Sequence, residues 1–195
     1  MRNIFLVLFI VVAFINLNAQ RVIFSDNFDT NNMGWNEIIS KEGEAIIKDG
    51  VLSIISKDEL KGFQATCLTN LNVKNNFTLT CDVLIKNIDN ESNFGLIIDY
   101  LDDYNYKVFG IYEGNAFYRN VKDGKIVGYR SNTIKLKSKR NTNASICVEK
   151  KGNSMILSVN EIEALEVRPD LQYNGIGFFV SGKQKVSFDN LEIKQ

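Results

Sequence analysis

Aromatic side chains are concentrated between residues 94 and 129, and five of the seven tyrosines lie between residues 100 and 118. A tyrosine joins a large apolar ring to a hydroxyl group, so it can stack on the C–H face of a sugar ring and also hydrogen-bond to it. Neighbouring amide and carboxylate groups can bind the sugar hydroxyls. This stretch therefore predicts a surface that binds carbohydrate.

Alternation along the chain divides this stretch between two faces of a sheet. We expect Phe109, Ile111 and Phe117 to point into the core, because one face of an antiparallel sheet is apolar. The opposite, concave face is expected to bind the ligand. The predicted ligand-binding residues are Asp99, Tyr106, Tyr112, Tyr118 and Asn120. An alternative stays open, in which the tyrosines only cover the sheet, since half-exposed aromatic residues are ordinary in sheets.

The chain contains no histidine. It therefore lacks the commonest general base, the commonest ligand of transition metals, and every Ser-His or Cys-His mechanism. Glycoside hydrolysis would instead need two carboxyl groups about 5 Å apart or somewhat further. Asp102 and Asp103 are adjacent in a predicted turn, so their side chains diverge. Glu161 and Glu163 lie at a predicted hairpin, where they are expected to face solvent.

The three cysteines are Cys67, Cys81 and Cys147. If residues 70–76 form the turn of a hairpin, Cys67 and Cys81 lie nearly opposite each other and can form a disulfide. The favoured alternative is a pair of small buried thiols, because a free cysteine packs like a small apolar residue. Cys147 has no evident partner, and no metal-binding spacing such as C-x-x-C occurs.

The first 19 residues are predicted to be a secretory signal peptide. Arg2 precedes an apolar run from Ile4 to Ile15, which is short for a membrane span, and Ala19 offers a small residue for cleavage. Residues 20–195 are expected to form one domain. They have no second apolar segment, so we expect a secreted or periplasmic protein with no membrane association after cleavage. Without Arg2 the chain has one more acidic than basic residue and no basic stripe, which argues against nucleic acid as a partner.

Strand-like runs recur every eight to twelve residues, separated by turn signals such as Asp49-Gly50, Asp123-Gly124 and Lys151-Gly152. No run shows the spacing of an amphipathic helix. The predicted strands are 21–25, 44–48, 51–56, 63–69, 77–87, 94–100, 105–112, 116–121, 124–129, 143–150, 154–159, 162–167, 175–181 and 185–194. The sequence thus predicts an all-β fold, a two-sheet antiparallel jelly-roll sandwich.

An ordered set of short motifs runs through these strands. The motifs are Val22-Ile23-Phe24-Ser25-Asp26-Asn27-Phe28, Gly34-Trp35, Asp49-Gly50-Val51-Leu52, Phe94-Gly95-Leu96-Ile97-Ile98-Asp99-Tyr100, Phe109-Gly110-Ile111, Gly175-Ile176-Gly177 and Phe188-Asp189-Asn190-Leu191. In this order they resemble the concanavalin A-like lectin/glucanase superfamily, specifically its laminin-G-like bacterial jelly rolls, and they are similar to the keto-disaccharide hydrolase-like domains of that group.

The resemblance implies two stacked sheets, a concave face that often binds glycans, and in some members a structural calcium ion. It would place calcium on the backbone carbonyls of Asn27 and Gly50 and on the carboxylate of Asp189. In the alternative, Asp189 bonds neighbouring backbone amides and Gly50 only serves a turn. The chain departs from the glucanases in lacking the E-x-D-x-E or E-x-D-x-x-E strand motif, and this favours a protein that is not an enzyme and requires no cofactor.

The leading interpretation is a secreted, non-catalytic carbohydrate-binding module. The alternatives are a hydrolase or lyase of the keto-disaccharide hydrolase or glucanase kind, and a laminin-G-like module that binds a surface protein. Asp99, Tyr106 and Tyr118 around one pocket would favour sugar binding. Two facing carboxylates would favour the enzyme, and a flat apolar patch would favour a protein partner. Trp35 is expected in the core.

Overall fold

The structure is a computed structural model that describes residues 20–59, 62–87, 93–134 and 142–195. The predicted signal peptide, residues 1–19, lies outside the described residues. In the described part of the chain, no helix is long and apolar enough to cross a membrane.

The described residues form fifteen strands and no helix. The strands are β1 (Val22–Asp26), β2 (Ile38–Ile39), β3 (Gly43–Lys48), β4 (Val51–Ser56), β5 (Gly62–Leu68), β6 (Phe77–Asn87), β7 (Asn93–Asp102), β8 (Asn105–Tyr112), β9 (Asn115–Lys122), β10 (Lys125–Thr133), β11 (Thr142–Lys151), β12 (Ser154–Val159), β13 (Ile162–Val167), β14 (Gly175–Ser181) and β15 (Gln184–Lys194). Each of the fourteen predicted strands is confirmed within a few residues, and only the two-residue β2 was not predicted.

The strands form two antiparallel sheets that pack face to face, so the predicted jelly-roll sandwich is confirmed. The larger, sheet A, has the order β13-β12-β11-β6-β15-β4-β3-β2, with β1 also paired to β15. The smaller, sheet B, has the order β10-β9-β8-β7-β14-β5. Strands next to each other in a sheet are often distant in sequence, as in β6 beside both β11 and β15.

The core lies between the two sheets and follows the predicted alternation. In β6 the odd-numbered positions from Phe77 to Ile85 are buried, and the even-numbered ones face outward. Trp35 is 3% exposed and packs against Phe28 and Phe178, with ring centroids 5.6 and 5.4 Å away. Its indole N–H donates to the buried carboxylate of Asp26 at 2.7 Å. Trp35 is therefore a core residue, as predicted.

Strand β9 corrects the predicted division of faces. Phe109 pairs directly with Tyr118 across the β8–β9 ladder, so the two share a face, and their rings lie 5.1 Å apart on the core side. Asn120 has the same parity as Tyr118 and lies on that face. Phe117 instead points outward and joins a small apolar cluster on the outer face of sheet B. The prediction failed because β9 is apolar on both faces, so alternation could not say which one is the core.

The hairpin that a Cys67–Cys81 disulfide would require is not formed, which agrees with the favoured alternative of two buried thiols. Cys67 lies on β5 in sheet B and Cys81 on β6 in sheet A, because residues 70–76 cross from one sheet to the other. All three cysteines are free thiols, and Cys67 and Cys81 are buried. The Cys81 thiol donates to the backbone carbonyl of Asp189 at 3.1 Å.

Candidate functional site

Four of the five predicted ligand-binding residues line one cavity of about 480 Å³. It lies where β8 begins and β9 ends, beneath residues 168–173, which connect β13 to β14. We call it the end pocket. Its lining includes Asp99, Tyr106, Lys107, Tyr118, Asn120, Lys122, Arg168, Asp170, Gln172 and Tyr173. The fifth predicted residue, Tyr112, lies at the opposite end of β8, on the outer face of sheet B.

Asp99 fixes the connecting segment onto the sheet. It sits where the β7–β8 and β7–β14 ladders become irregular and has a φ of 59°, a left-handed conformation that Asp tolerates better than most residues. One carboxylate oxygen accepts the backbone N–H groups of Gln172 and Tyr173, each at 2.5 Å, and the other binds the ammonium of Lys107. Because these contacts occupy both oxygens, Asp99 positions the pocket wall.

Two tyrosine hydroxyls in the end pocket are available to a ligand. Neither Tyr106 nor Tyr118 has a hydrogen bond from its hydroxyl to any described residue. Burial, and then the charge of Asp99, raise the pKa of Tyr118 to about 12. Burial also raises the pKa of Tyr106, opposed by the nearby Arg119 and assisted by Asp103. Both groups therefore stay neutral near pH 7 and can donate or accept a hydrogen bond.

The remaining polar groups in the pocket are mainly donors. The Asn120 amide has no hydrogen bond among the described residues, and neither Lys122 nor Arg168 forms an ion pair there. Asp170 supplies an acidic group, whose pKa is lowered chiefly by a hydrogen bond from the Gln172 amide. The pocket can thus bind hydroxyl and carboxylate oxygens beside aromatic rings.

A larger cavity of about 650 Å³ crosses the outer face of sheet A. We call it the groove. Its floor includes Ser53 and Ser187, which are direct partners across the β4–β15 ladder and are 6% and 3% exposed. Neither hydroxyl has a hydrogen-bond partner in the described part of the chain. Ile46 and Leu84 flank this serine pair. The groove therefore has a polar floor between two apolar side chains.

Two carboxylates face each other at one side of the groove. Asp82 and Asp189 are direct partners across the β6–β15 ladder. Asn190 bridges them, since its side-chain amide donates to Asp82 at 3.0 Å and its backbone N–H donates to Asp189 at 2.7 Å. Lys86 and Lys185 line the groove further along the same two strands. Among the described residues, none of these four charged side chains forms an ion pair.

The three residues assigned to calcium by resemblance do not supply a complete ligand set. Gly50 has a φ of 71° and serves the β3–β4 turn, while an Asp189 oxygen accepts a backbone N–H. These are the contacts of the alternative stated above. One carboxylate and two backbone carbonyls fall short of the six to eight oxygen ligands that calcium takes. In the described residues, no three His, Cys, Asp or Glu side chains form a metal-binding group.

Sequence reasoning missed several residues of these cavities. No sequence pattern placed Lys107 in the site, because its pairing with Asp99 depends on the irregularity in β7. Tyr173 and Arg168 lie in an irregular segment with the single proline, Pro169, and no periodic pattern marked them. The available signal was the single proline, with Arg168 directly before it and Tyr173 four residues after it. Nothing in the sequence distinguished Ser53 or Ser187.

No protein-family model matches this chain, and no curated protein sequence matches it. Solved structures do. The carbohydrate-binding module CBM66 from Bacillus subtilis has a TM-score of 0.54 at 14% identity, over 84% of this chain and 98% of that one. The carbohydrate recognition domain of Emp47p has a TM-score of 0.63 at 11% identity, over 88% and 94%. A Bacillus subtilis protein described as having a galectin-like fold has a TM-score of 0.55 at 14% identity, over 89% and 96%.

These likenesses show the fold. The chain has a two-sheet antiparallel jelly roll like that of the galectin-like and CBM66 structures. It also matches the binding domain of botulinum neurotoxin serotype D with a TM-score of 0.57 at 10% identity, but spans only about half of that longer chain, 48%. At these identities the ligands of the other proteins do not transfer to this one.

Proposed function

We propose that this protein is a non-catalytic carbohydrate-binding module whose glycan occupies the end pocket. One observation carries the proposal. Residues chosen from the sequence for sugar binding converge on a single cavity, although the fold divides them between two faces of sheet B. There they offer neutral phenols and a free amide.

The chemistry of the end pocket suits a sugar better than an apolar ligand. Its volume of about 480 Å³ falls within the usual range of about 300–1,000 Å³ for small-molecule sites. Tyr106 and Tyr173 supply aromatic surface, while Asn120 and Lys122 supply hydrogen-bonding groups. Solved proteins of the same fold include a carbohydrate-binding module and a carbohydrate recognition domain, which supports the same reading.

The proposal includes export. An apolar leader over residues 1–19 would carry the domain out of the cytoplasm, to the periplasm or the medium. Polysaccharides or surface glycoproteins would then be its partners. Calcium is not needed for the proposed contacts.

A glycan-array screen of residues 20–195, with and without chelator, followed by calorimetry on the best ligand, tests the proposal. We expect Asn120→Ala and Tyr118→Phe each to weaken binding about fivefold, since the loss of a net hydrogen bond costs about 1 kcal/mol. Tyr118→Phe keeps the ring, which is needed in the core. Tyr104→Ala is the matched control, because Tyr104 is 65% exposed and does not line the pocket. A folded sample that binds no glycan would refute the proposal.

One observation favours glycoside hydrolysis in the groove as a second candidate function. Asp82 and Asp189 are direct cross-strand partners there, and such partners have Cβ atoms about 4.5–5.5 Å apart. Retaining glycosidases use two carboxyl groups at about this separation. Release of reducing ends from a polysaccharide panel, lost in both Asp82→Asn and Asp189→Asn, would support hydrolysis. No release by the wild-type protein would eliminate it.

A further inference from the structure

Arg119 is a half-buried cation on the outer face of sheet B. It projects from β9 toward a cluster formed by Ile97, Val108, Phe117 and Phe179, which are all at most 7% exposed. Its guanidinium lies 4.7 Å from the centre of the Phe179 ring and 5.7 Å from that of Phe117. The guanidinium therefore covers aromatic surface that would otherwise face solvent.

The charge of Arg119 has no anionic partner among the described residues. No carboxylate pairs with it, and its Nε is buried without a hydrogen-bond acceptor. Burial lowers the pKa of Arg119, and the only titratable groups that act on it in the opposite direction are the phenols of Tyr106 and Tyr129. A buried charge without a partner is costly, and stacking on two rings compensates for only part of that cost. An incoming anion would supply the missing counter-charge.

An exposed aromatic ring stands beside this cation. Tyr129 is 47% exposed and stacks on Phe117, with centroids 6.3 Å apart and planes 16° from parallel. It is also the direct partner of Arg119 across the β9–β10 ladder. Gly110 leaves room for the Phe117 ring, since a Cβ at position 110 would lie 2.8 Å from that ring. The result is a cation and an exposed ring side by side.

We propose that Arg119 and Tyr129 form a subsite for the carboxylate or sulfate group of an acidic saccharide. The guanidinium fork binds such an oxyanion through two parallel hydrogen bonds, and the sugar ring that carries the oxyanion packs on Tyr129. The saccharide part of this inference rests on the proposed function. Tyr106 connects the two sites, because it lines the end pocket and also faces Arg119. A glycan in the end pocket can thus extend over Tyr106 to Arg119.

The test compares one glycan with and without its charge. Trigalacturonate and its methyl ester are titrated into the wild-type protein and into Arg119→Gln, Arg119→Lys and Arg130→Gln. Arg130 is the matched control, an exposed arginine on β10 whose parity puts it on the other face of the sheet from Arg119. The ¹⁵N resonance of the Arg119 Nε–H group reports a change at the guanidinium, and thermal unfolding checks the stability of each variant.

We expect the acid to bind at least tenfold more tightly than the ester, and more weakly at high salt. This preference should disappear in Arg119→Gln, fall in Arg119→Lys and persist in Arg130→Gln. The Arg119 Nε resonance should shift with the acid alone. If Arg119→Gln does not fold, the affinities of Arg119→Lys and the Arg119 Nε resonance of the wild-type protein still test the inference. Lysine keeps the positive charge but cannot form the two parallel hydrogen bonds of the guanidinium.

Equal affinity for acid and ester, or an unmoved Arg119 resonance at saturating acid, would overturn the inference. Tighter binding of poly-glutamate than of trigalacturonate at Arg119 would overturn its saccharide part. The proposed function is tested separately. If neutral glycans bind through Asn120 and acidic ones bind no more tightly, the proposed function stands and only the Arg119 subsite is refuted. If acidic glycans bind at Arg119 and Asn120→Ala has no effect, the result counts against the end pocket as the binding site but not against the Arg119 subsite.

Discussion

Replacing Asp99 by alanine should destabilise the fold more than any exposed substitution around the end pocket. The change removes the partner of Lys107, whose side chain is only 12% exposed, and it also removes the acceptor of two backbone N–H groups in the segment 172–173. Removing one member of a buried ion pair costs about 3–5 kcal/mol, because it leaves an uncompensated charge. We therefore expect Asp99→Ala to lower the free energy of unfolding by about that amount.

Urea unfolding followed by the fluorescence of Trp35 measures this loss. Trp35 is the single tryptophan and is buried in the core, so its emission reports the native packing. For a chain of this size the loss corresponds to a fall in Tm of about 6–20 °C, at about 2–4 °C per kcal/mol. Lys122→Met, which removes an exposed lysine from the same pocket, should change stability by less than about 0.5 kcal/mol.

A double-mutant cycle separates the ion pair from the backbone contacts of Asp99. In Lys107→Met the carboxylate keeps its two N–H donors, so this change should cost less than Asp99→Ala. The double variant should be more stable than the sum of the two single losses predicts, by more than about 0.5 kcal/mol, because it no longer buries an unpaired ammonium. A loss below about 1 kcal/mol in Asp99→Ala, or strict additivity in the cycle, would refute the reasoning.

Three further predictions concern the core and the groove. Ser187→Ala should raise the free energy of unfolding by about 1 kcal/mol, because its buried hydroxyl has no hydrogen-bond partner among the described residues. Ser56→Ala should lower it by about 1 kcal/mol, since that hydroxyl donates to the backbone carbonyl of Asp58 at 3.0 Å. Calorimetric unfolding checks both, and a less stable Ser187→Ala would contradict the first. Because the pKa of Tyr118 is raised to about 12 in the folded protein, its contribution to stability is complete below about pH 10 and is lost as the pH rises through about 12. Tyr118→Phe should therefore reduce the loss of stability at alkaline pH, measured as Tm against pH. An unchanged pH profile would count against this prediction. Cys147 is half-buried and should react with a thiol reagent in the native protein, whereas Cys81 should react only on unfolding. Equal rates of modification of the two thiols in the native protein would show that Cys81 is not buried as described.

Local patterns were enough to predict the strands. A strand can be predicted from a run of alternating apolar and polar residues between turn signals such as Asp49-Gly50. The run and the turn signals lie within a few neighbouring positions of the sequence. The faces of β9 could not be predicted in the same way. Ala116 and Tyr118 on one side and Phe117 and Val121 on the other are all apolar enough for a core, so the pairing with β8 had to decide.

The end pocket was predictable in its residue types but not in its geometry. Tyr106, Tyr118 and Asn120 were predicted from the chemistry of their side chains. They line the same pocket although Tyr106 lies on the outer face of sheet B and the other two lie on its inner face. The cause is the segment 168–173, which Asp99 holds over this end of the sheet through contacts more than 70 residues distant in sequence. Such contacts follow from which distant strands pair within a sheet. The same reason hid the facing Asp82 and Asp189.

The location of a bound glycan tests the central claim most directly. Amide and side-chain NMR shifts of residues 20–195, titrated with the best ligand from the array, would map it. We expect the largest shifts at Tyr106, Asn120 and residues 168–173, with saturation at a single affinity. Shifts confined to the groove around Ser53 and Ser187, or the absence of shifts with every glycan tested, would contradict the account.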